Sequence, residues 1–195
     1  MSETLKDGTG SNFEAKVDSD FRLHTDAITQ SQLQNSLKKG RTWNVGTGFV
    51  TLTNDSASAL MYLKNTGDKD LNVDLYVFLT KASTGGSGQG LVEILRNPTA
   101  GTVVDDATAI TPTNMNFGST AVPDALLYSG GQGKTLSGQD DILRSLTTSA
   151  NRLLLGIVTL IPKGKSVGLR LTPPTGNTSM EVECVMEVFE VGHDD

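Results

Sequence analysis

The chain has 195 residues, enough for one hydrophobic core, and 16 Lys and Arg against 22 Asp and Glu, a net charge of −6. That acidic balance gives no electrostatic reason to seek nucleic acid, though it leaves a basic protein surface open as a partner. One cysteine excludes an intrachain disulfide, and no stretch approaches the roughly 20 apolar residues that span a bilayer.

In chain order, residues 1–20 are polar, acidic and glycine-containing. They read as a flexible arm or a segment ordered by a partner. They hold no apolar core of the signal-peptide kind, so the chain is expected to be made in a cytoplasm and to stay soluble there. Residues 21–40 admit two readings. Ala27 to Leu37 forms a short helix closed by Lys38, Lys39 and Gly40, or the segment stays extended across a partner. Residues 1–40 are thus taken as an extended or partly helical N-terminal arm, and 41–195 as one domain.

Strands are expected at Thr47–Thr53, Ala59–Lys64, Leu71–Leu79, Leu91–Arg96, Gly101–Val104, Leu153–Ile161, Val167–Leu171 and Thr178–Val191. The period of two is cleanest at Leu71, Val73, Leu75, Val77 and Leu79, and again at Val182, Cys184, Met186 and Val188. Asn54–Ser58, Asn65–Asp70, Ala82–Gly90 and Pro162–Lys165 supply turns, the glycine-serine run 82–90 as a mobile tip. Asp140–Leu146 reads as a helical turn or a strand, and 119–150 is the least legible part. About eight short strands without βαβ units predict an all-β antiparallel sandwich, jelly-roll-like, with a thin aliphatic core.

No chemistry-bearing set stands out. The two histidines, His24 and His193, lie far from any cysteine or second histidine. Asp105-Asp106, Asp140-Asp141 and Asp194-Asp195 are carboxylate pairs without calcium-loop spacing. Glu181, Glu183 and Glu187 share one strand face, which suits a solvated or docking face better than acid chemistry. GGQGK at 130–134 lacks phosphate-loop spacing. Cys184 falls on the apolar phase of the last strand, as a buried thiol. Trp43 reads as a core plug or an interface anchor, and Tyr62, Tyr76, Phe78 and Tyr128 carry the same two readings, with core use preferred. The sequence therefore assigns no catalytic, cofactor-binding or metal residue and no cofactor, and the chain reads as non-enzymatic.

Three phrases carry a family resemblance: RNPTAGT at Arg96–Thr102, TPTNMNFGS at Thr111–Ser119, and a closing hairpin, IPKGKSVGLRLTPPTGNTS, at Ile161–Ser179. With their order along residues 20–190, they resemble a family of virion structural proteins of tailed bacteriophages. The resemblance implies a β-sandwich on the capsid exterior, a decoration (cement) or head-fibre-base protein made in the host cytoplasm. Its partners would be further copies, as a homotrimer, and the major capsid protein or another virion protein, without nucleic acid or membrane. An N-terminal arm reaching a neighbour would make truncation of 1–40 weaken assembly more than folding. A tail or baseplate role, or a carbohydrate-binding or adhesin module framed by loops 82–90 and 128–138, is the alternative.

Overall fold

The computed structural model describes residues 5–6, 14–15, 31–148 and 157–191. The chain divides into two compact units, Met1–Ser31 and Gln32–Asp195. In the first, β1 (Leu5–Lys6) pairs antiparallel with β2 (Glu14–Ala15).

The second unit opens with α1 (Gln32–Lys38), the helical alternative for the end of the arm. It stops where Gly40 takes φ 67°, a left-handed conformation that costs glycine little, and Lys39 N–H donates to the Asn35 carbonyl at 3.0 Å. The Ser36 hydroxyl donates to the Glu190 carbonyl at 2.7 Å, tying α1 to the end of the last strand. The compact sandwich unit therefore begins at Gln32. The first part of the expected helix, from Ala27, lies outside the described residues.

The strands that follow are β3 (Thr42–Leu52), β4 (Ser58–Asn65), β5 (Asp70–Thr84) and β6 (Gly90–Arg96). A long excursion holds α2 (Thr102–Asp105), β7 (Thr108–Ala109), β8 (Thr113–Asn114) and β9 (Ala125–Ser129). The chain then returns through β10 (Asp141–Thr148), β11 (Ile157–Ile161), β12 (Ser166–Thr172) and β13 (Ser179–Val191). One sheet has the order β10-β6-β12-β4-β9-β7 and the other β11-β5-β13-β3-β8, with every pairing antiparallel.

The pairing has a simple logic. β3 pairs with β13, β4 with β12, β5 with β11 and β6 with β10, so the outer ends of the chain pair first and the middle last. The chain is a long antiparallel ribbon rolled up so that successive strands fall in alternate sheets, with β6 and β10 at the fold of the ribbon. The result is an all-β sandwich of two antiparallel sheets. The excursion caps one side of it: β8 extends the β3 edge, and β9 with β7 extends the β4 edge.

Several local expectations change. β12 and β13 are not partners in a hairpin: they lie in different sheets, and residues 173–178 cross between the layers. The turn 162–165 likewise joins strands of opposite sheets. Gly101–Val104 is not a strand; its β-branched residues enter α2, because Gly101 at φ 118° turns the chain and Thr102 and Thr135 exchange side-chain hydrogen bonds at 2.9 and 3.1 Å. Asp141–Thr148 settles as a strand. Leu153–Gly156 lies outside the described residues. The 82–90 loop is pinned rather than free: Thr84 is still in β5, and Ser87 N–H donates to the Thr175 carbonyl at 2.9 Å.

Strict alternation places the core. Val182, Cys184, Met186 and Val188 of β13 and Leu71, Val73, Leu75 and Val77 of β5 point inward to meet Val167, Leu169 and Leu171 of β12. β4 is buried on both faces. Leu60, Met61 and Leu63 join the main core, while Ala59 and Tyr62 enter a second cluster with Leu95, Val103 and Leu136. That second cluster is made by the excursion folding back on the six-stranded sheet.

Candidate functional site

The six-stranded sheet is covered on its outer side by that second cluster, whereas the five-stranded sheet keeps a large outer face open between its strands. β13 builds its centre. Because Val182, Cys184, Met186 and Val188 face the core, Glu181, Glu183, Val185, Glu187 and Phe189 must face out. Register then fixes their neighbours. Glu183 lies between Phe49 of β3 and Phe78 of β5, Val185 between Gly46 and Tyr76, and Glu187 between Asn44 and Asp74. On the far side, Val158 lies opposite Asp74 and Leu160 opposite Asn72.

The face combines charge with apolar surface. Asp74, Glu181, Glu183 and Glu187 supply carboxylates, and Lys81, opposite Glu181, is a cation at one end of it. Phe49 is 69% exposed, Val158 64% and Leu160 50%, far more than a strand that only covers a core requires. Tyr76 and Phe78 stack with ring centroids 6.4 Å apart. Contrary to the core use preferred for them, these two rings face outward, since they occupy the phase of β5 opposite Leu75 and Val77. Partial desolvation, then the nearby Asp74 and Glu187 charges, push the Tyr76 hydroxyl pKa upward, so it remains a neutral donor at physiological pH.

The remaining candidates fall into structural roles. Cys184 is fully buried, and desolvation, with the Glu183 charge second, drives its thiol pKa far upward, so it is an inert core residue. Trp43 is 1% exposed and its indole N–H donates to the Ala121 carbonyl at 2.8 Å, the core-plug role. Tyr62 stacks on Tyr128 at 5.8 Å under the excursion. In the GGQGK loop, Lys134 pairs with Asp106, and Gln132 binds Thr53 N–H at 2.7 Å and Asn54 Oδ1 at 2.7 Å, so the loop staples the strand ends. Asp140 accepts from Asn97 Nδ2 at 3.1 Å. Lys163 pairs with Asp68, and Arg41 with Glu190 at 3.5 Å. Among the described residues, no three His, Cys, Asp or Glu side chains converge on one point. His24, His193, Asp194 and Asp195 lie outside them.

Loops 82–90 and 130–134 do reach the same end of the sandwich. Asn177 bridges them by accepting from Ser83 Oγ at 2.6 Å and donating to the Asn54 carbonyl at 3.0 Å, next to Gln132. Across 82–90 and 128–138 the one aromatic is Tyr128, which lies in β9 and stacks on Tyr62. What sequence reasoning missed is the pairing of aromatic with acidic residues across three strands, which only the register reveals.

No protein-family model matches the chain, and no curated protein does. The likeness to phage virion proteins rests on the sequence phrases at 96–102, 111–119 and 161–179 alone.

Proposed function

We propose that the chain is a non-enzymatic structural component of a tailed-bacteriophage particle, a capsid decoration or head-fibre-base protein that self-associates and docks on a basic surface of another virion protein. The observation that carries this reading is the open outer face of the five-stranded sheet. An array of four carboxylates around Phe49, Tyr76, Phe78 and Val158 is built for contact with a large, positively charged protein surface rather than for a small molecule. The sequence phrases add the phage context. Repetition of such a contact around a symmetric shell would let modest individual affinities add up.

The test is co-sedimentation of purified protein with particles stripped of it. Wild type should bind, more weakly as salt rises, and the triple variant Glu181→Lys, Glu183→Lys, Glu187→Lys should lose binding while keeping the buried-Trp43 fluorescence of the native fold. Equal binding by the variant would refute this face as the docking surface. The carbohydrate-binding alternative would use the end framed by loops 82–90 and 128–138, and a glycan screen separates the two.

A further inference from the structure

A second exposed feature lies away from that sheet face. Phe117 is 96% exposed, more than any other exposed large hydrophobic side chain among the described residues. It is not on a loose loop. The turn that carries it is fixed by asparagines: Asn114 Oδ1 accepts from Asn116 N–H at 2.9 Å, and Asn116 Oδ1 accepts from Gly118 N–H at 3.1 Å. The Asn116 amide also donates to the Lys38 carbonyl at 3.1 Å, and the Asn114 amide to the carbonyls of Gly40 at 2.7 Å and Ala121 at 2.9 Å. β8 pairing to β3 holds the base. A ring held in water on a braced turn has already lost much of the entropy that docking would cost.

The same excursion holds a matching concavity. Ile110, Pro112, Val122, Pro123, Leu126 and Tyr128 line an apolar cavity of about 260 Å³ beside β9, with room for one aromatic side chain. The chain's own Phe117 stays out of it, as its exposure requires. Lys38 is an exposed cation next to the Asn116 turn, and the exposed Asp124 follows Pro123 of the socket, its side chain lining the adjoining concavity that shares Val122.

We propose that Phe117 of one copy inserts into the Ile110–Leu126–Tyr128 socket of a second copy. This deepens the self-association in the proposed function and rests on it. One knob and one socket per chain allow a head-to-tail contact, which closes into a ring when the rotation between copies permits; the homotrimer that the resemblance implies is a small ring of this kind. A single ring in a cavity covers far less than the roughly 1,200 Å² of a stable standard interface, so the contact is weak in isolation and gains from ring closure.

The test is molar mass in solution up to about 100 μM, a range that populates small interfaces. Phe117→Asp and Val122→Asp change exposed positions and should each give monomer with native fluorescence. An equimolar mixture of the two can form one intact contact without ring closure, so it should give nothing larger than a one-to-one dimer. If wild type is oligomeric and Phe117→Asp keeps its mass, this contact is wrong while self-association stands. A Val122→Asp variant that keeps the wild-type mass overturns the pairing of knob with socket. A monomeric wild type overturns both the contact and the self-association it rests on.

Discussion

Arg170→Ala should be among the most damaging changes on the six-stranded sheet. Arg170 of β12 lies directly opposite Glu93 of β6, with Nε 2.7 Å from the carboxylate. Glu93 is 7% exposed, and the Arg170 side chain is 24% exposed. Removing the guanidinium strands a nearly buried carboxylate. Breaking a fully buried pair costs about 3–5 kcal/mol, and the access of water on the arginine side lowers this to about 2–3 kcal/mol. At about 2–4 °C per kcal/mol for a chain of this size, the melting temperature should fall by roughly 4–12 °C. Replacing both partners, Glu93→Leu with Arg170→Met, removes the stranded charge and should return stability to within about 1 kcal/mol of wild type. Urea unfolding followed by the fluorescence of Trp43, the sole tryptophan and 1% exposed, measures all of these. A cost below about 0.5 kcal/mol for Arg170→Ala, or additive single and double costs, would refute the reasoning.

Gly130→Ala should destabilise by about 2 kcal/mol or more in the same assay, because the new Cβ would lie 2.0 Å from the Ala59 carbonyl oxygen, a backbone atom that cannot rotate away. Gly131→Ala next to it meets nothing within 4 Å and serves as the near-neutral control. Cys184 should resist a thiol reagent in the native state and react fully in denaturant; fast native labelling would show that the face of β13 assigned to the core is open.

The sequence predicts well wherever burial is one-sided. In β13 and β5 the alternation of Val182, Cys184 and Met186, and of Val73, Leu75 and Val77, names the inward face residue by residue. It does not name the partner strand, because a period of two is satisfied by any neighbour that covers the face. That is why the phrases flanking Pro173-Pro174 read as a hairpin although β12 and β13 pair across the roll with β4 and β3. β4, expected as a strand at Ala59–Lys64, hides its inward face for the opposite reason: buried on both faces, Ala59 to Leu63 carries no alternation at all. α2 forms against the β-preference of Thr102, Val103 and Val104 because tertiary contacts to Thr135 and Leu136 override it. In the candidate site, the Glu181–Glu183–Glu187 row was legible as a face. Its aromatic partners were not, because Phe49 and Phe78 meet Glu183 only through register.

The most direct test of the account is electron cryo-microscopy of intact native particles carrying this chain. The account predicts density for the sandwich on the particle exterior, with Glu181, Glu183, Glu187 and Phe78 against a basic surface of a neighbouring virion protein. Absence of the chain from purified particles, or density with that sheet face turned to solvent, would contradict it.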